Sequence, residues 1–374
     1  MPHVAKKAVA NGGRLRHLRT ALHPTQRVRE PTGRRNDVVL TISALVVPEL
    51  ILALTPWRGF GEVLFVGTIP GLIGLMHGRR FAVAAPTITA ILVAVFVAVG
   101  SAPIIAAIVM ALVGLGVGAS SLKGWQTVAV VMTSWPSVLL IAPPLALTDT
   151  GWLSGKASVI VLAGAATFLG GAWTFAVTAI LLPHPPTGTF TPEARSTSIV
   201  YGASLAVLLA GISYAATTWA PRTMAGWILL TVLVIARPGL TETRQRILAR
   251  ALGTITGGIL AALVGLLIPV PMVISLVGLL CLAAAVLLQL KISSYALYSV
   301  ALTASIVLLN SRANGLVSVD SQRVLFTMLG VVLAGLLVVV LQFVLIPAIA
   351  WTSGGIPDPR RTASARSSDA YRQR

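Results

Sequence analysis

The residues best placed to do chemistry in this chain are a few cations. Arg246 and Arg250 stand four apart, so they share one helix face, and Arg237 lies shortly before them. In apolar surroundings a guanidinium either snorkels to lipid phosphate and sets topology, or meets a partner inside the bundle. Arg246, at the edge of its apolar run, suits lipid phosphate and anion attraction equally. Arg250, one turn deeper and costlier to bury, favours an internal partner, for function or for packing. Thr254 can back-bond to its own helix or offer a hydroxyl across an interface. Gly253 and Gly257 are again four apart, a small-xxx-small spacing that lets helices touch and reads as a packing motif.

One carboxylate stands out. Glu49 follows Pro48 in the middle of the first apolar run, VVPELILAL. Ionised and unpaired there it would be expensive, and Pro48 can break the helix locally. Glu49 is therefore a neutral hydrogen-bonded acid, an arginine partner, a group facing a wet cavity, or part of a span that begins later. As a titrating group it is the candidate for proton coupling. Glu62 reads as interfacial, and Asp149 and Asp320 as solvated in outer loops. No nucleophile–base pair, phosphate-binding glycine loop or nucleotide motif occurs. His3, His17, His23, His77 and His184 lack metal-ligand spacing, and the single Cys281 excludes an internal disulfide. No enzyme, metal or cofactor is expected.

These groups must be positioned by a membrane protein. Hydrophobic residues make up 56% of the 374 and charged residues only 10%, with a mean hydropathy of +0.90. Average soluble domains carry about 25% charged residues, too many fewer here to cover a wet surface. The first apolar run begins behind a long basic stretch, which does not resemble a signal peptide. Crossing a bilayer takes about 20 apolar residues. Such runs fall at 38–56, 60–76, 81–100, 102–121, 126–147 and 157–183, then at 197–218, 223–237, 246–268, 271–290, 294–310 and 324–347. The expected fold is all-α, with about twelve transmembrane helices.

The net charge of +18 sits where membranes want it. Arg14, Arg16, Arg19 and Arg27 crowd the start, and Arg360, Arg361, Arg366 and Arg372 the end. No nucleic-acid-binding signature accompanies them, so anionic lipid is the expected partner and nucleic acid is not. With a cytoplasmic N-terminus, alternate loops hold Arg79–Arg80, Lys123, Arg195, Arg237–Arg244–Arg246 and Lys291, leaving Arg58, Lys156, Arg222, Arg312 and Arg323 outside. That bias puts both termini in the cytoplasm of a cell-membrane, multi-pass protein. The expected organisation is a basic segment 1–36, a first transmembrane half 37–183, a linker 184–196, a second half 197–350 and a disordered basic tail 351–374.

The halves echo each other. Pro70-Gly71-Leu72 returns as Pro238-Gly239-Leu240, Thr87-Ile88-Thr89 as Thr254-Ile255-Thr256, and Pro103 and Lys123 as Pro271 and Lys291. Six spans in each half would make two parallel six-helix repeats. Substrate often binds where such repeats face each other, although duplication of a packing unit alone would leave the same echo.

From Trp227 the sequence reads WILLTVLVIARPGLTETRQRILARALGTITGGILAALVG. Through Trp227, Thr231, Pro238, Thr243, Arg246, Arg250, Gly253, Thr254 and Gly257 it resembles the fusaric acid resistance and aromatic acid exporter family, whose membrane module includes relatives of plant anion channels. Ser294-Tyr295-Ala296 and the Arg323–Gly330 spacing also look like that module. The resemblance covers 197–347 well; the first half follows it only through the repeat. It implies a transporter of small organic, chiefly aromatic, anions, with proton entry as one way to drive it. Arg237, Arg246 and Arg250 would gather the anion, Thr231, Thr254 and Tyr295 would bind its polar groups, and Glu49 would carry the proton. A passive anion channel and a non-transporting membrane scaffold are the alternatives, and homo-oligomers fit any of them.

Overall fold

The computed structural model describes residues 45, 47–48, 51–52, 55, 58–144, 155–181, 190–238, 240–268, 270–290, 294–314 and 316–342. All of them belong to one compact unit, Leu40–Arg374. Among the described residues there are eleven α-helices and no strand. The first five are α1 (Arg58–Met76), α2 (Arg79–Val99), α3 (Pro103–Ser121), α4 (Gln126–Ile141) and α5 (Lys156–Leu181). Then come α6 (Arg195–Trp219), α7 (Gly226–Ile235), α8 (Leu240–Leu267), α9 (Pro271–Leu290), α10 (Tyr295–Asn314) and α11 (Leu316–Val340).

Helices α1, α2, α3, α5, α6, α8 and α11, seven in all, are long and apolar enough to cross a membrane. The apolar stretches of α4, α7, α9 and α10 are shorter. Most of the run expected at 38–56 falls outside the described residues, Glu49 with it, as do 1–36 and 351–374.

Several boundaries differ from the sequence expectation, those of α11, α8 and α4 among them. α11 opens at Leu316 rather than 324, so Arg323 lies inside a helix and not in an outer loop. α8 opens at Leu240 rather than 246. In both cases polar residues in the first turns dilute the hydropathy on which the expectation rested. α4 stops at Ile141 rather than 147, because Pro143 and Pro144 follow and a proline disfavours helical backbone in the residue before it.

Large apolar side chains such as Ile91, Leu112, Val207 and Leu266 point outward from the bundle, a surface that hydrocarbon accepts and water does not. Inside, α1 and α2 pack on α5, and α2 on α4. α7 and α8 pack on α11, and α8 and α9 on α10. Prominent among the contacts that join them, α3 lies along α6, and α4 against α7. Without Cβ atoms at the crossing, α3 and α6 come very close. A methyl at Gly114 would sit 2.6 Å from Ala206 Cα, and Gly118 faces Gly202 directly.

Buried hydroxyls on α2, α4 and α5 turn back onto their own helices. Thr89 donates to Ala85 O, Thr133 to Ala129 O, Thr167 to Ala163 O and Thr174 to Gly170 O, at 2.7–2.9 Å. Each is thereby satisfied without a partner helix.

α7 is the exception to the long-helix pattern. Its ten residues reach about 15 Å, half of the roughly 30 Å hydrocarbon core. Nearly every one of them is buried, so protein and not lipid surrounds the irregular backbone that follows.

Gly118→Val should destabilise the bundle by about 1–3 kcal/mol, the usual cost of overpacking a tight contact. Gly116→Val, where an added Cβ meets nothing within 4 Å, should be close to neutral. Thermal unfolding in detergent checks the pair; equal loss in both variants would dismiss the α3–α6 contact as its cause.

Candidate functional site

α7 ends at Ile235 and Ala236 turns extended, with φ −62 and ψ 126. Three peptide groups at this break are taken up by side chains. Tyr201 on α6 donates to Ala236 O at 3.1 Å and accepts from Gln126 on α4 at 3.2 Å. Thr243, in the first turns of α8, accepts from Arg237 N–H at 3.0 Å and donates to Arg237 O at 3.1 Å. Arg237 is thus clamped at the mouth of the bundle, 7% exposed.

Glu242 serves the same mouth. Its Oε1 lies 3.0 Å from Arg246 Nη2 and 4.0 Å from Arg237 Nε. The Arg246 guanidinium also stands 5.2 Å above the Tyr295 ring at the start of α10. Glu242 is the one carboxylate among the described side chains of α7–α11, against Arg237, Arg244, Arg246, Arg250 and Arg323.

Arg250 lies deeper, 1% exposed, and its Nε and Nη2 find no hydrogen-bond partner in the protein. Hydroxyls in the same state lie on its own helix and on helices that contact it: Thr254 on α8, Ser299 and Thr303 on α10, Thr231 on α7 and Thr327 on α11, with the Tyr295 phenol. Glycines bring these helices together. A methyl at Gly253 would come 2.5 Å from Ser299 Cβ, one at Gly257 2.8 Å from Thr303 Cβ, and one at Gly330 2.8 Å from Thr231 Cβ. Tyr298 stands within electrostatic reach of both Arg250 and Arg323. Buried donors left unmade cost about 1–3 kcal/mol each, more when charged, and such groups in a folded protein call for an explanation. A cluster of donors around a cation can satisfy itself by taking an anion.

Of the sequence candidates, the mouth gathers Arg237, Arg246 and Tyr295, while Arg250, Thr254 and Thr231 lie within the α7–α8–α10–α11 cluster. Gly253 and Gly257 face α10. Glu49 lies outside the described residues. Sequence reasoning had not assigned a site role to Ser299, Thr303, Thr327, Trp227 or Arg323. One signal was available: Arg250, Thr254 and Gly257 have the same R-x3-T-x2-G spacing as Arg323, Thr327 and Gly330. A cavity of about 500 Å³ between α6, α7 and α11 is lined by apolar residues, among them Val207, Gly211, Trp219, Phe326 and Leu333. It offers an anion no donor and is not this site.

Residues 208–338 match the model described as fusaric acid resistance protein-like. This segment of the chain is similar to that family. The matched residues span α7, α8, α9 and α10 whole, about half of α6 and most of α11, so the entire cation–hydroxyl cluster lies inside the module. Together with the apolar helices, the match marks a transporter-like, multi-pass membrane protein. No curated protein and no solved structure matches the chain.

Tyr201→Phe removes one donor and leaves Ala236 O buried, which should cost about 1–3 kcal/mol. Because the ring stays, the loss should appear as faster hydrogen exchange at 236–243 rather than at the α3–α6 contact. Exchange mass spectrometry in detergent reads both regions, and uniform loosening would exclude a local role.

Proposed function

We propose that this protein moves small organic anions, aromatic carboxylates foremost, across a cell membrane through its fusaric acid resistance protein-like module. The observation that carries the reading is Arg250: a fully buried guanidinium with unsatisfied nitrogens, on a helix packed against others that carry unsatisfied hydroxyls. The family description, which names resistance to an acid, supports it.

Arg237 and Arg246 collect the anion at the mouth, where the Glu242 carboxylate holds the two guanidiniums until a substrate carboxylate competes for them. Arg250 then takes its charge, and Thr254, Ser299 and Thr303 donate to its oxygens. Thr231 and Tyr295 complete the polar surround. Both termini and the mouth lie in the cytoplasm, in keeping with the loop charges, so transport is export. The two halves form a parallel repeat. This is supported by helix starts at Pro103 and Pro271, and by α2–α4 and α2–α5 packing that parallels α8–α10 and α8–α11. Glu49 supplies proton coupling. A passive anion channel is the second reading, favoured by the cationic excess at the mouth.

Purified protein in proteoliposomes tests this with benzoate and a panel of aromatic acids. Arg250→Gln should lower uptake at least about tenfold, the effect of losing a charged partner worth more than 1.4 kcal/mol, while Arg250→Lys keeps part of it. Wild-type rates in Arg250→Gln, or no solute moved under any gradient, would overturn the proposal. Glu49→Gln should abolish stimulation by a pH gradient. Currents beyond carrier turnover, indifferent both to pH gradient and to Glu49→Gln, would establish the channel instead.

A further inference from the structure

The apolar cavity between α6, α7 and α11 takes no part in the cation–hydroxyl cluster. Its volume is about 500 Å³, within the usual range of ligand pockets. α6 and α11 form its walls, and the start of α7, at Ala225 and Ile228, forms its floor. Arg323 lies at Trp227 and Gly330 at Thr231, so α11 runs in the same sense as α7. α6 runs against both, because only the loop 220–225 separates it from α7. The cavity is therefore a lengthwise groove, with Trp219 and Phe326 at one end and Val207 and Leu333 at the other. Its Trp219 end lies at the start of α7, opposite the Arg237 mouth.

Gly211 opens the α6 wall, where an added Cβ would meet nothing within 4 Å. From Val207 to Trp219 the helix rises about 18 Å, close to the roughly 15 Å that one leaflet contributes to the hydrocarbon core. The lining offers almost nothing for water to bond to. Left empty, the groove would forfeit the dispersion contacts of the side chains around it.

The rim changes character at the Trp219 end. Trp219 is 77% exposed, an indole placed as in the aromatic belt at a membrane–water interface. Arg222 follows it, exposed and without an ion-pair partner among the described residues. Its backbone is left-handed, φ 59, which is uncommon for a residue with a side chain. The Arg222 N–H donates to Ile141 O at the end of α4, at 3.0 Å. Beside it the Thr223 hydroxyl donates to Ala220 O at 2.7 Å and accepts from Ala225 N–H at 3.2 Å. These bonds fix the loop, so the cation is held between Ala220 and Ala225, both of which line the groove.

An apolar slot one leaflet deep, with an indole and a cation at its interfacial end, matches the two parts of a phospholipid. Hydrocarbon fits the slot, and a guanidinium binds a phosphate with charge-assisted hydrogen bonds. We propose that the groove between α6, α7 and α11 holds an acyl chain of one resident phospholipid, whose phosphate is bound by Arg222. The site is separate from the anion path, and its test needs no transport.

Native mass spectrometry counts lipids on the intact chain as phosphatidylglycerol is titrated into the detergent-purified protein. Wild-type protein should carry one tightly held lipid per chain ahead of weaker, unsaturable adducts. Gly211→Leu should weaken that first lipid about tenfold or more, because each methylene it displaces loses its burial. Arg222→Gln should weaken it about fivefold, the effect of one cation near a lipid phosphate, while Arg222→Lys retains it. Gly116→Leu, also where an added Cβ meets nothing within 4 Å, should leave it unchanged. Diacylglycerol, with the same chains and no phosphate, should bind wild-type protein no better than phosphatidylglycerol binds Arg222→Gln. A first lipid indistinguishable from the adducts overturns the site, and so does one undiminished in Gly211→Leu. Binding undiminished in Arg222→Gln, an exposed change that keeps the test open should Gly211→Leu fail to fold, overturns the phosphate contact. Lipid-free dimers that Gly211→Leu dissociates would assign the groove to a second copy of the chain and overturn the proposal.

Discussion

A guanidinium buried among helices that face hydrocarbon is the constraint around which this molecule is arranged. No bulk water lies beyond the helix surface to solvate Arg250, and burying a charge without a partner is among the costliest features a bundle can hold. The Arg250 Nε and Nη2 are left without an acceptor, while close packing brings hydroxyl-bearing helices together. Gly253 and Gly257 bring α10 to within contact of α8, and Gly330 does the same for α11 and α7. The result is a tight, polar interior in a chain whose outward surface is apolar.

The break after α7 depends on the same balance. A half-length helix would expose peptide groups to lipid, but α7 is enclosed, and Tyr201 and Thr243 satisfy the peptide groups beyond it. The helices before α6 contribute as a frame. Gln126 holds Tyr201, and Trp135 on α4 meets Trp227 edge to face, with ring centres 5.9 Å apart. The Trp135 ring in turn meets Phe65 on α1. Thr89, Thr133 and Thr167 on α2, α4 and α5 bond to their own helices, whereas Thr231, Thr254, Ser299, Thr303 and Thr327 on α7, α8, α10 and α11 are buried without partners. That difference in hydroxyl state places the polar centre inside the module rather than at the seam between the halves.

Much of the site was legible, because Arg246, Arg250, Gly253, Thr254 and Gly257 lie on one continuous helix whose periodicity converts spacing into a shared face. Arg323 was not. Ser318, Asp320, Ser321 and Gln322 stand just before it, and a hydropathy reading takes such a polar stretch for a loop. The helix is made there by backbone hydrogen bonds and by packing, to which hydropathy is blind. Ser299, Thr303 and Thr327 were invisible for another reason. A threonine in an apolar helix ordinarily bonds to its own backbone, and only the neighbouring helix decides whether it has done so.

By itself, then, the sequence determined the solvent and the secondary structure. Low charge and long apolar runs leave lipid as the surroundings, and lipid leaves helices as the way to satisfy the backbone. It also determined which cations share a face, since that follows from helical geometry alone. What only the tertiary structure decided is which of those cations are unsatisfied and what they stand beside. Arg246 finds Glu242 one turn away, within its own helix. Arg250 finds no such partner, and which helices pack against its own is set by interhelical contacts, which no spacing along the chain encodes.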